Sequence, residues 1–165
     1  MRKTFLLVII VAVILTFTPS IIDKGDFLPQ GTTAPALVLE EGDSTIDLKS
    51  LKGRYVLVDF WSSDDAKSRL QSNEYNTLRW NKGRKSPTRI SVNLDQSEKL
   101  FHEIVNRDHM DAASQFHVDG NEAGKIIKDF GLTDGCCSYL VDPQGKIAAV
   151  DPDPEYLKET LDMSF

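Results

Sequence analysis

The chain has 165 residues, 41% of them hydrophobic, with 25 Asp plus Glu against 19 Lys plus Arg and a formal net charge of −6. That length holds one ordinary domain, and the acidic balance excludes nucleic acid as the main partner, because phosphate binding needs clustered Lys and Arg. Arg79, Lys82, Arg84, Lys85 and Arg89 do gather, but they flank a predicted helix-to-strand connection and are expected to form a solvated loop.

The N-terminus comes first. Arg2 and Lys3 precede an uncharged run of 19 residues, Thr4–Ile22, near the lower limit of the ~20 residues that a bilayer core requires. Two readings fit residues 1–22: an uncleaved membrane anchor or a cleaved signal segment. The anchor is favoured because no A-x-A cleavage pattern follows. Under both, the remainder is exported, to the periplasmic or extracellular side. Residues 23–34 combine Gly, Pro, Thr and charge without periodicity and are expected to be a linker, leaving 35–165 as the domain.

Within that domain, Ala36–Leu39 and Thr45–Leu48 are predicted to form a hairpin around Glu40–Asp43. Tyr55–Trp61 is a run that suits a buried strand, and Asp65–Trp80 is predicted as a helix with a partial apolar stripe of Leu70, Tyr75, Leu78 and Trp80. Arg89–Leu94 alternates as a strand does. A helix over 97–105 carries Leu100, Phe101, Ile104 and Val105, and a second covers Glu122–Phe130 before Gly131. Cys137–Asp142 and Lys146–Val150 are predicted to form a hairpin around Pro143-Gln144-Gly145. A final helix opens on Asp153 as N-cap, with Pro154 at its first position. The alternation implies a layered α/β domain with a central mixed sheet flanked by helices.

These motifs resemble, in order, those of the membrane-anchored thioredoxin-like proteins of the TlpA/ResA type. Gly31-Thr32-Thr33-Ala34-Pro35 before a hairpin resembles the family's G-x-x-A-P entrance. Asp47–Gly53 followed by Tyr55–Trp61 resembles its L-x-x-L-K-G-K-x-V-L-V-x-F-W run. Gly131–Thr133 through Ser138–Ile147 resembles its stretch ending in D-x-x-G-K-I. The resemblance covers 31–161, is least distinctive over 95–125, and implies a thioredoxin-like fold with an N-terminal β-hairpin.

The departures fall where the family keeps its active site, W-A-S-W-C-x-x-C-R-x-E-x-P. Trp61, Ser63 and Arg69 match. Asp65 and Ser68 stand where the two cysteines belong, Gln71 and Asn73 replace the glutamate and proline, and Cys136 falls at the family's cis-proline. Dithiol exchange needs a thiolate and a resolving thiol, which Asp65 and Ser68 cannot supply. The resemblance implies a groove formed by Trp61, Asp64, Asp65, Ser68, Gly135 and Cys136. Asp64 and Asp65 suit two roles: helix caps, or acceptors for a cation or amine of a partner.

Cys136 and Cys137 are the chain's two cysteines, and three readings stay open for them. They are inert small hydrophobes, a vicinal or intermolecular disulfide, or catalytic thiols with Cys136 as a relocated nucleophile, against which a nearby Asp65 would act by like-charge repulsion. His102, His109 and His117 are spaced by seven and eight residues, which fits no common metal site. No metal or cofactor is expected. Tyr75, Trp80 and Phe101 are expected in the core or lining a groove. The first functional expectation is a non-redox module binding an envelope protein or extended peptide, with the membrane contacted through residues 4–22. The second is a thiol–disulfide or peroxide enzyme working through Cys136 or Cys137, and the third a purely structural envelope component.

Overall fold

The computed structural model describes residues 27–80, 86–132 and 137–162. A five-stranded sheet runs in the order β5-β4-β3-β6-β7, built from β3 (Val56–Trp61), β4 (Thr88–Asn93), β5 (Gln115–His117), β6 (Ser138–Val141) and β7 (Ile147–Val150). β3, β4 and β5 are parallel, while β6 and β7 are antiparallel additions on the other side of β3. The helices are α1 (Ala66–Thr77), α2 (Glu98–Arg107), α3 (Gly120–Asp129) and α4 (Pro154–Leu161). The predicted N-terminal hairpin is β1 (Val38–Glu41) with β2 (Ser44–Asp47), a separate two-stranded sheet. The mixed α/β architecture expected from the sequence is therefore the one observed.

Every residue of β3 is buried, as a strand covered on both faces requires. Its period of two divides the core. Val56, Val58 and Phe60 join Ile90, Val92, Phe116, Phe130 and Tyr139 on one face. Leu57 joins Tyr75, Leu140, Leu157 and Leu161 on the other, and Trp61 packs with Phe101, Ile104 and Val105 of α2.

Between those apolar clusters lies a buried polar one. The Arg89 guanidinium grips Asp59 with two hydrogen bonds, Nε to Oδ1 at 2.8 Å and a terminal nitrogen to Oδ2 at 3.1 Å. The same nitrogen donates to the Ser72 carbonyl and hydroxyl and to the Ser91 hydroxyl, and Ser91 Oγ donates to Asp59 Oδ2 at 2.8 Å. Arg89, expected in a solvated loop, is thus a core residue of β4, 4% exposed. Charge clustering marks solvation only where no buried opposite charge waits.

The same cluster overturns the apolar stripe expected on α1. Its buried residues are Ser68, Ser72 and Tyr75, spaced as one helix face, while Leu70 is 63% exposed. A sheet face bearing Asp59, Arg89 and Ser91 needs hydroxyls above it, so α1 packs with serines. Leu78 and Tyr75 are buried as expected, and Trp80 is partly buried.

Two further differences concern order. Residues 27–34, expected as linker, dock onto β7: Gly31 N–H donates to the Ile147 carbonyl, Ile147 N–H to that of Thr32, and Ala34 N–H to that of Gly145, while Phe27, Leu28 and Ala34 pack on the core. The short strand β5 was not anticipated, since three residues carry too little pattern to read. No described helix is long and apolar enough to cross a membrane. The anchor or signal expected over residues 1–22 lies outside the described residues.

Removing one partner of a buried ion pair strands the other charge, which costs about 3–5 kcal/mol. Asp59→Asn or Arg89→Met is accordingly expected to lower stability by that amount in urea denaturation followed by tryptophan fluorescence. Asp59→Leu combined with Arg89→Met is expected to lose less than the sum of the two single changes.

Candidate functional site

The loop Ser62–Asp65 leads from the carboxyl end of β3 into α1, the edge at which open α/β sheets hold their ligands. Asp65 is the N-cap of α1, and its Oδ1 accepts from Lys67 N–H at 3.0 Å. This satisfies one of the orphan amides and places a negative charge at the positive end of the helix. Its Oδ2 is enclosed and has no hydrogen-bond partner among the described residues. Ser68 is 3% exposed. Its hydroxyl donates to the Asp65 carbonyl at 3.2 Å and accepts from Ser62 N–H at 3.3 Å, so it closes the loop on itself.

Asp95, which the sequence did not single out, organises this loop from the end of β4. Its Oδ1 accepts from the Ser62 hydroxyl at 2.7 Å and from Ser63 N–H at 2.8 Å, and its Oδ2 accepts from Asn93 Nδ2 at 3.0 Å. Burial alone would push its carboxyl upward, but the donors from Asn93, Ser62 and Ser63 outweigh this and hold it below the ordinary value of 3.8. Asp64 is exposed beside it and shares the Ser62 hydroxyl.

Of the expected groove residues, Asp64, Asp65 and Ser68 do meet at the head of α1. Trp61 does not line a groove: it is 0% exposed, its indole N–H donates to Gln115 Oε1 at 3.2 Å, and its ring faces Phe101. Its period-two position puts it inside α2's footprint. Gly135 and Cys136 lie outside the described residues.

The residues beyond Ser68 are bound into packing. Arg69 makes a two-pronged contact with Asp108 at the end of α2, both bonds at 2.7 Å, and Asn73 adds a third donor at 3.2 Å. Burial pushes the Asp108 carboxyl up, yet Arg69 and Asn73 together draw it below 3.8. Gln71 donates to the Tyr75 hydroxyl at 2.9 Å, which in turn donates to the Pro152 carbonyl at 2.6 Å. These side chains lock α1 to α2 and to the start of α4.

Cys137 is a free thiol, 0% exposed, in the main apolar cluster just before β6. Burial first, and the carboxylate of Asp151 second, push its pKa up to about 12. A thiol so placed is protonated at neutral pH and inert as a nucleophile. Among the described residues no group of His, Cys, Asp and Glu could hold a metal ion. His102 lies 3.7 Å from Glu98 and 3.9 Å from Glu41. The backbone N–H of His117 donates to Glu41.

A parallel-plus-antiparallel sheet with a capped helix opening directly off its central strand defines a thioredoxin-like domain. Residues 30–150 match the AhpC/TSA family, and the chain belongs to it, as a thioredoxin-like member of the TlpA/ResA type. It is 25% identical over 147 residues to thiol-disulfide oxidoreductase ResA of Bacillus thuringiensis, covering 88% of this chain and 83% of that protein. A solved thioredoxin-like protein from Parabacteroides distasonis is 30% identical, superposes with a TM-score of 0.64, and shares 82% of this chain and 96% of its own. The thioredoxin domain of a thiol-disulfide oxidoreductase from Bacteroides vulgatus is 25% identical with a TM-score of 0.66, over 82% of this chain and 96% of that one.

The depressed carboxyl of Asp95 sets a pH dependence. A carboxyl whose folded pKa lies below its unfolded value stabilises the fold at pH above the unfolded value, about 3.9, and that contribution disappears as pH falls through the folded one. Urea midpoints of the wild type are therefore expected to fall between pH 5 and 3 more steeply than those of Asp95→Asn. Parallel curves for the two proteins would contradict the linkage.

Proposed function

We propose that this chain is a thioredoxin-fold binding module that does not exchange disulfides at the head of α1. The observation that carries the reading is the closed state of that head, where Asp65 caps the helix and the buried Ser68 hydroxyl bonds back to Asp65 and Ser62. No thiol stands at either position, and the chain's two cysteines are adjacent at 136 and 137. Two further features support it. The described cysteine has its thiolate suppressed by burial and by Asp151, and the ionisable group beneath α1, Asp59, is bound to Arg89 and has no open route to a substrate.

In this role the exposed Asp64, with the partly buried Asp65 and Ser62 beside it, presents negative charge and a hydroxyl to an envelope protein or extended peptide. The exported side of a membrane is the compartment that fits, with residues 4–22 as the anchor. Family membership favours a second reading, a thiol–disulfide enzyme working through Cys136.

Insulin reduction by dithiothreitol separates the two. The wild-type chain is expected to give no rate above background, and iodoacetamide at pH 8 is expected to modify Cys137 only after unfolding. Asp65→Cys combined with Ser68→Cys is expected to create turnover, because the helix head offers a thiolate the same capping amides. Wild-type turnover that disappears in Cys136→Ser would establish the second reading instead.

A further inference from the structure

Away from the head of α1, a groove runs between β1 and α3. Its wider part, about 510 Å³, is lined by Ala36, Leu37, Val38, Asn121, Lys125 and Ile126 together with Glu122. It continues past Val38 and Glu122, which belong to both parts, into a second hollow of about 350 Å³ closed by Glu40, His117 and Val118. We propose that this groove docks an extended basic peptide, an apolar residue of which lies against Val38 and Ile126 while the ammonium of a lysine two residues along enters the acidic hollow. The inference does not depend on whether the head of α1 exchanges disulfides.

Charge complementarity identifies the occupant. The second hollow is walled by two carboxylates, Glu40 and Glu122, and by no cation. The one cation lining the wider part, Lys125, is drawn away to Asp129 at 2.8 Å, so it neither neutralises Glu122 nor blocks an incoming charge. The apolar part is equally specific. Val38, the first residue of β1, is 51% exposed because successive residues of the strand alternate, with Leu39 in the core and Val38 and Glu40 outside. One face of β1 therefore offers an apolar residue and a carboxylate two positions apart. An extended peptide with the same repeat presents an apolar side chain and a lysine at the matching separation.

His117 supplies a separate indication. Asn93 turns its amide nitrogen to Asp95 and its Oδ1 to His117 Nδ1 at 2.9 Å, which makes Nδ1 the protonated nitrogen of the neutral ring. Nε2 is then a bare acceptor, enclosed and without a partner among the described residues. An unmet acceptor in a buried position is destabilising until a donor reaches it. In the proposed complex an ammonium seated between Glu40 and Glu122 supplies the donor that Nε2 lacks, beside a ring that lines the hollow and is stacked on Phe101.

The test uses the purified full-length chain and the peptide acetyl-Leu-Ser-Lys-amide, whose leucine and lysine share one face of an extended chain, with its Nε-acetyl-lysine counterpart as the neutral probe. Binding is read by the shift of the imidazole nitrogen resonance that disappears in His117→Gln. The lysine peptide is expected to move that resonance and the acetylated one to leave it. Glu40→Gln with Glu122→Gln is expected to weaken binding by about tenfold. Glu155→Gln with Glu159→Gln, an exposed acidic pair on α4, is expected to change it little. Equal binding of the two peptides, equal loss in the two double variants, or no shift at millimolar peptide would each overturn the proposal. Unchanged circular dichroism of the four surface substitutions keeps the comparison free of folding effects.

Discussion

The Asp59–Arg89 pair determines how this domain is layered. Two charges cannot remain at 2% and 4% exposure unless each is met by partners, since their desolvation costs several kcal/mol per ion. Here the partners come from three elements at once: Asp59 from β3, Arg89 and Ser91 from β4, and Ser72 from α1. The pair therefore selects which face of α1 rests on the sheet and in what register. An apolar face would have left the guanidinium short of acceptors. This is why a helix with almost no apolar stripe is nonetheless a structural element, and why its exposed Leu70 is not a packing defect.

With α1 fixed at its middle, its head is fixed as well. The loop before it has little freedom, because Asp95 holds Ser62 and Ser63 while Ser68 ties back to Ser62 and Asp65. Farther along the helix, Arg69 and Asn73 clamp Asp108, and Gln71 leans on Tyr75. The polar chain also extends sideways. Asp95 bonds to Asn93, and Asn93 to His117, so the head of α1 and the groove beside β1 share one hydrogen-bonded framework along the carboxyl ends of β4 and β5. Such networks are rigid when every member is satisfied. Two members keep an enclosed atom without a partner among the described residues, Asp65 at one end and His117 at the other.

Much of this was legible in advance where pattern and propensity agree. β3 announced itself through Val56–Phe60, the β6–β7 hairpin through Pro143-Gln144-Gly145, and α4 through Asp153-Pro154, whose cap accepts from Tyr156 N–H as a helix start should. Asp65 and Ser68 were recognisable as occupants of the family's cysteine positions. What escaped notice depended on contacts across the sheet. Arg89 looks like one more base in a basic stretch until β3 is laid beside β4 and Ser91 meets Asp59. Asn93 and Asp95 lie two residues apart at a strand end, with nothing local to show that Asp95, held by Asn93, braces Ser62 and Ser63, 33 and 32 residues earlier. The family resemblance places Trp61 in a groove, whereas strand alternation sends its ring beneath α2. Residues 27–34 carry turn chemistry, which says how a segment bends and not whether it docks.

The aspartate at the head of α1, at the position that the family resemblance assigns to a cysteine, meets a demand that the scaffold makes whatever the chemistry. The scaffold asks for an anion at that point, because the first amides of the helix are unsatisfied and its dipole is positive there. A thiolate meets the demand and is reactive; a carboxylate meets it with a stronger acceptor, and an aspartate cap is worth ~1 kcal/mol over alanine. Ser68, enclosed one turn later, makes two local hydrogen bonds that need no redox partner. Nothing in the packing of β3, α1 or α2 depends on sulfur at these positions. The constraint that preserves the fold is thus electrostatic, and it is blind to whether the anion can attack a disulfide.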